Sequence, residues 1–194
     1  AADYRLWGGW PPGWHLTNVV IHGLATLASF ALLRRLAPSR GLALLAAVVF
    51  ALQPCRVEAV AWVSGRNDSL CTLFCLLAVG WHLRAIGAPS WCSRVVAAAL
   101  AALAVFTKET GLAVLPLLAL AEWFDGRTGG RDGVGCRVLR LAPAVVASAL
   151  YVTVHHLLTG GALWRVCVPA ADASSGFGTA LVALGHYAAM ALCA

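Results

Sequence analysis

Long apolar runs follow one another along this chain with very little between them. Stretches of helical length lie at about 14–36, 41–54, 69–86, 93–107, 111–124, 138–158 and 177–194. Short breaks rich in Pro, Gly and Ser separate them: Ala37-Pro38-Ser39-Arg40, Gln53-Pro54, Gly87-Ala88-Pro89-Ser90, Asp125 to Gly130 and Asp172 to Gly178. Hydrophobic residues make up 61% of the 194 positions and charged residues 11%, with a mean hydropathy of +0.82. A soluble domain is roughly half apolar and a quarter charged, and a domain of this size leaves too much of its chain at the surface to hide such an excess. The surrounding solvent is therefore lipid. The runs are continuous and lack the two-residue alternation of a barrel strand, so helices are the element that satisfies the backbone. The expected fold class is all-α, a polytopic membrane helix bundle of about seven hydrophobic segments with a short interfacial helix at about 55–66, forming a single transmembrane module over 1–194.

Fourteen basic residues against eight acidic ones give a net charge of +6. Assigning alternate loops to alternate sides places Arg34, Arg35, Arg40, Arg84, Arg94, Arg127, Arg131, Arg137 and Arg140 together, with Glu122, Asp125 and Asp132 as the acids of that side. The other side holds Arg5, Arg56, Arg66, Lys108 and Arg165, matched by Asp3, Glu58, Asp68, Glu109 and Asp172. The positive-inside rule makes the first set cytoplasmic. A basic balance produced by topology is not a phosphate-tracking patch, so no nucleic-acid partner is expected. Seven cysteines, an odd number with no C-x-x-C pair, sit mostly in apolar runs, where a thiol acts as a small hydrophobe; neither a disulfide framework nor a metal site is expected. Glycine-rich nucleotide loops are missing from the sequence, and no cofactor is expected.

Charges of both signs gather in short connections on the non-cytoplasmic side, and no charged residue lies at the centre of a run. A transporter or proton pump places ionisable groups at mid-depth; this layout suits an enzyme working at the interface on a lipid-borne substrate. In the first run, His15, Asn18, His22, Thr26 and Ser29 fall within an arc of about 80°. That stripe is either interhelical glue or, through His15 and His22, the border of a substrate cavity. Between Arg56 and Asp68, the apolar face and Trp62 suggest a short helix lying on the membrane, with carboxylates Glu58 and Asp68 at its ends and Arg66 beside one of them. Asp68 can equally cap the helix that starts near residue 69, with Arg66 as its ion-paired neighbour. Lys108 and Glu109 form either a self-neutralising turn or a phosphate-holding lysine with its partner. Cys71, Cys75 and His82 share a helix face, but about 10 Å between Cys75 and His82 is too far for one tetrahedral site.

Read in order, these pieces resemble a known pattern. Trp14-His15-Leu16-Thr17-Asn18-Val19-Val20-Ile21-His22 is similar to the "HLxNxxxH" element of polytopic C-type glycosyltransferases related to the transmembrane and tetratricopeptide-repeat O-mannosyltransferases. Phe50 to Asp68 resembles that group's "FALHPxHxEAVAWISGRxDLL", and Thr107-Lys108-Glu109-Thr110-Gly111 its "KETG". Order and spacing agree over residues 14 to 124. Where the pattern has His-Pro-x-His, this chain has Gln53-Pro54-Cys55-Arg56, an amide and a guanidinium in place of two imidazoles. Tyr151 to Gly161 resembles a later helix of the group, with His155 or His156 where an arginine is usual.

The resemblance implies transfer of a sugar, mannose above all, from a polyprenyl-phosphate donor to a protein hydroxyl. It assigns Asp68 and Glu58 catalytic or assisting roles. Arg66, Lys108, Glu109, Arg56, His15, Asn18 and His22 would bind substrate, the cations on the phosphate and the histidines with Asn18 lining the sugar or lipid pocket. Partners are then membrane lipid, the polyprenyl-phosphate sugar and a protein acceptor. The location is the endoplasmic reticulum membrane in a eukaryote or the inner membrane in a bacterium. The group's first membrane helix, the acidic first luminal loop with the main catalytic carboxylate, and a downstream repeat domain are expected to lie outside this sequence, leaving a partial module that is inactive alone. A multi-pass transporter or flippase, or a non-catalytic scaffold, are the alternatives.

Overall fold

A computed structural model describes residues 2–53, 60–88, 90–127 and 133–159. In chain order the helices are α1 (Ala2–Trp7), α2 (Pro11–Leu36), α3 (Arg40–Leu52), α4 (Arg66–Gly87), α5 (Trp91–Thr107), α6 (Val114–Arg127) and α7 (Val134–Thr159), with 3-10 turns at Val63–Gly65 and Glu109–Ala113. No strand occurs among the described residues, in keeping with the all-α expectation. The chain divides into two compact units, Ala1–Ser148 and Ala149–Ala194. Of the second, the described residues are the last turns of α7, where the Tyr151 and His155 rings lie 5.7 Å apart.

Proline and serine set the helix ends. Ala37, Gln53 and Ala88 each precede a proline, and each has left helical geometry (ψ 144°, 126° and 87°), because the following pyrrolidine ring disfavours the helical region at that position. The helix restarts on the serine after the proline. Ser39 accepts from Leu42 N–H, and Ser90 accepts from Ser93 N–H, satisfying one of the orphan donors of each first turn. Pro11 and Pro12 open α2, where a missing N–H costs nothing.

Among the described residues, three helices are long and apolar enough to cross a membrane: Pro11–Leu36, Arg66–Gly87 and Val134–Leu158. Arg40–Leu52 and Trp91–Thr107 are apolar but shorter, reaching about 20 and 26 Å against a hydrocarbon core of about 30 Å. The expected run at 111–124 begins as the 3-10 turn and becomes helical only at Val114. The run at 177–194 lies outside the described residues, so the expectation of about seven segments is met in part. The first half of the expected interfacial helix, residues 54–59, is also outside them. Its described remainder ends in the turn Val63–Gly65, and α4 starts at Arg66, three residues earlier than the apolar pattern suggested.

The packing is that of a protein in lipid. Buried positions are mostly small: Ala25 on α2, Ala43 and Ala47 on α3, Ala78 and Ala85 on α4, and Ala97, Ala101 and Ala104 on α5. Large side chains such as Leu24, Leu27, Leu44, Leu45, Val49 and Leu103 are exposed. Hydrocarbon gives no reason to bury leucine, so close backbone approach across small residues holds the helices together. Helix α4 is the hub, packing against α2, α5, α6 and both 3-10 turns. It runs parallel to α2, since Arg66 at its start bonds Asn18 and Gly80 near its end accepts from Arg35.

At the far end of α4 the structure builds a cluster that spacing did not announce. His82 of α4, Glu122 of α6 and Arg140 of α7 are all buried. Arg140 Nε and Nη2 donate to the two Glu122 oxygens at 2.7 and 2.8 Å, a bidentate fork. His82 Nε2 lies 2.9 Å from Glu122 Oε1, in ion-pair range but not aligned as a hydrogen bond. Breaking such a pair leaves a buried charge uncompensated, so Glu122→Ala is expected to lower stability by about 3–5 kcal/mol. Replacing Glu122 and Arg140 together by Leu and Met should cost much less. Denaturant titrations of the purified protein in detergent compare the two.

Candidate functional site

The site grows from the first turn of α4. Gly65 precedes this helix without a side-chain cap bond, and Asp68 occupies its third helical position, so Asp68 is not the cap. Its charge still suits the helix's positive end, and its carboxylate turns to a neighbour: Lys108 Nζ lies 2.5 Å from Asp68 Oδ1. Lys108 stands in extended backbone (φ −159°, ψ 150°) where α5 gives way to the next turn. Forty residues of sequence separate the two, yet they meet at one end of the α4–α5 pair. Both side chains are about a third exposed, 39% for Asp68 and 31% for Lys108.

The hydrogen bond that Lys108 donates to Asp68 holds its amine above the ordinary value, against a smaller opposing effect of burial. The ammonium is therefore charged throughout the physiological range, and on the alkaline side the pairing fades as pH rises through that raised value. A pair this exposed stabilises a fold by about 0–1 kcal/mol, which is too little to explain the geometry as a brace.

Arg66 is held from the other side. Its Nε donates to Asn18 Oδ1 at 2.9 Å and its Nη2 to the Trp14 carbonyl at 3.4 Å. The Asn18 amide donates in turn to the Val60 and Trp62 carbonyls at 3.1 and 2.9 Å. Asn18 is fully buried, and its amide ties α2 to the chain entering α4 while it aims Arg66. Of the polar stripe on α2, Asn18 thus behaves as interhelical glue next to the site. His22 donates from Nε2 to the Ala51 carbonyl at 3.2 Å, with its ring stacked on Phe50, tying α2 to α3. His15 is exposed on α2, and Glu109 is exposed in the turn after Lys108. Glu58 and Arg56 lie outside the described residues.

The structure thus brings Asn18, Arg66, Asp68 and Lys108 to one end of α4 and leaves His15, His22 and Glu109 outside their hydrogen bonds. Two cations and one carboxylate, partly open to solvent at the end of membrane helices, can hold a phosphorylated headgroup. Among the described residues, no three His, Cys, Asp or Glu side chains converge as metal ligands.

The chain is 37% identical over 120 residues to protein O-mannosyl-transferase Tmtc1 of Drosophila melanogaster, covering 62% of this chain and 14% of that protein. It is 34% identical over 137 residues to protein O-mannosyl-transferase Tmtc2 of the same fly, covering 67% of this chain and 15% of that protein. It is 37% identical over 141 residues to human protein O-mannosyl-transferase TMTC4, covering 62% of this chain and 19% of that protein. The chain is related to the transmembrane and tetratricopeptide-repeat O-mannosyltransferases. It spans less than a fifth of the length of these relatives. No family model matches it, and no solved structure does.

One residue of the O-mannosyltransferase-like run Lys108-Glu109-Thr110-Gly111 acts through shape alone. Gly111 is buried, and a Cβ there would collide with the Ala104 carbonyl, which also accepts from the Lys108 N–H and faces the Cys71 thiol at 3.6 Å. Sequence reasoning assigned Gly111 no role; a glycine immediately after a charged turn and before an apolar run was the available signal. Gly111→Ala forces the turn away from α5, with an expected loss of about 1–3 kcal/mol. It should also part Lys108 from Asp68, read as a drop in zero-length carbodiimide cross-linking between the Lys108 amine and the Asp68 carboxylate.

Proposed function

We propose that this chain supplies the phosphate-holding side of a membrane protein O-mannosyltransferase site. Mannose would pass from a polyprenyl-phosphate donor to a protein hydroxyl on the non-cytoplasmic face. The observation that carries the reading is the Lys108–Asp68 pair beside the Asn18-anchored Arg66, in a chain related to proteins named O-mannosyl-transferases.

In this reading the acceptor oxygen attacks the anomeric carbon while the carbon–oxygen bond to phosphate breaks. The lipid phosphate leaves with the electron pair, and the hydroxyl proton passes to a carboxylate. Lys108 and Arg66 stabilise the charge that grows on the departing phosphate, a task for donors fixed in place before the reaction. Asp68 keeps the flexible lysine side chain aimed, and Asn18 does the same for the guanidinium. Glu58 and Arg56 belong to the same proposal by their place in the sequence, with His15 and His22 toward the sugar or lipid and Glu109 beside Lys108.

Membranes from cells expressing the intact protein, supplied with labelled mannosyl phosphopolyprenol and an acceptor protein, test the assignment. Lys108→Met and Arg66→Ala are each expected to lower kcat/KM about 100-fold. Asp68→Asn should lower it about tenfold, with part of the loss in KM. Unchanged transfer in all three variants, at normal protein levels, would remove the site.

A further inference from the structure

The opposite ends of α2 and α4 carry a feature that the transfer reaction does not use. A cleft of about 230 Å³ lies between these two helices near their C-termini, with Arg35, Arg84, Trp81, Gly80, Leu32 and Leu77 among the residues around it. Arginine in a last turn is ordinary for a cytoplasmic helix end, so the presence of Arg35 and Arg84 says little by itself. Their aim says more. Arg35 Nη1 donates to the Gly80 carbonyl at 3.1 Å, which draws it across from α2 to the wall of α4. Arg84 lies over the Trp81 ring, 5.3 Å from its centroid. Two exposed guanidiniums from two helices thus border one opening, each with a contact on the wall of α4. Among the described residues, one of the five N–H donors of Arg35 is taken, by Gly80.

We infer that this cleft binds an anionic phospholipid of the leaflet on the basic side, its phosphate between Arg35 and Arg84 and its first acyl carbons along Leu32 and Leu77. Size and chemistry select this occupant. Pockets for whole small molecules run to roughly 300–1,000 Å³, so this one holds part of a molecule whose remainder lies elsewhere, as the tails of a lipid lie in the bilayer. Its apolar walls suit an acyl chain and do nothing for a free phosphate ion. Basic pockets between membrane helices are where anionic headgroups settle, and the negative potential of the cytoplasmic leaflet raises their local concentration. The inference stands apart from the transferase reading, because Arg84 lies roughly 24 Å along α4 from Asp68.

The test reconstitutes the intact chain in phosphatidylcholine vesicles containing a photoactivatable phosphatidylglycerol and maps labelled peptides by mass spectrometry. Labelling is expected within residues 28–35 and 76–84. Unlabelled phosphatidylglycerol should compete, whereas neither phosphatidylcholine nor inorganic phosphate should. Arg84→Gln, a change at an exposed side chain, is expected to lower labelling about fivefold, and Arg35→Gln with Arg84→Gln to lower it further at unchanged helical circular dichroism. Arg40→Gln, another exposed arginine of the same side that is not part of the cleft, should leave it unchanged. Equal labelling by a phosphatidylcholine probe, an equal loss in Arg40→Gln, or competition by inorganic phosphate would each overturn the inference. So would a shift of Arg84→Gln from dimer to monomer with lipid labelling intact, which assigns the cleft to a second copy of the chain.

Discussion

Hydrocarbon offers a polar group nothing, and that single fact arranges this molecule. Every amide, hydroxyl and charge on α4 has to find its partner inside the protein or at a helix end that reaches water. The middle of α4 is accordingly apolar or sulfur-bearing, from Cys71 and Leu73 through Cys75 to Ala78 and Val79, all buried. Its polar chemistry stands in two clusters. Arg66 and Asp68 occupy the first turn, and His82 and Arg84 lie in the last two turns. Alanine and glycine at the contacts let backbones come close enough for carbonyls to act as acceptors, as Ala104, Ala51 and Gly80 do for side chains from neighbouring segments.

Much of this was open to reading in the sequence, for identifiable reasons. Apolar length is a one-dimensional property, so the helices at 11–36, 66–87 and 134–159 stand close to where the runs lay. Pro38-Ser39 and Pro89-Ser90 are local stop and start signals, and the helix ends follow them. Topology alone placed Lys108 and Asp68 on one side of the membrane, because an apolar run leaves that side at one and returns from the other. It had no means of stating that the side chains touch. Asp68 was equally readable as a cap, since capping depends on whether the helix begins at 66 or 69, and a one-turn boundary is the least determined part of an apolar pattern.

The clearest omission is the His82–Glu122–Arg140 cluster, whose members come from three helices and are 40 and 18 residues apart in sequence. Glu122 and Arg140 looked like loop charges of the basic side, being near the ends of their runs. A signal was available: each stands within apolar neighbours, Glu122 after Leu-Ala-Leu-Ala and Arg140 before Leu-Ala-Pro, where a charge without a partner would be costly. Two opposite charges of that kind on successive segments, with an imidazole on a third, are candidates for one another. Their register becomes visible only once the helices are laid side by side.

The two ends of α4 hold ion pairs of the same chemical type with opposite physical consequences. Glu122 and Arg140 have 5% and 2% of their side-chain surface exposed, and the pair is bidentate. Separating them means leaving both charges in low dielectric, at a cost of several kcal/mol (about 3–5). Asp68 and Lys108 keep about a third of their surface in water. Solvent screens them, the bond contributes about 0–1 kcal/mol, and an incoming phosphate can take the ammonium from the carboxylate at little cost. The first pair can only hold helices together. The second can exchange one anion for another, and burial rather than residue type decides which end of the helix is available for chemistry.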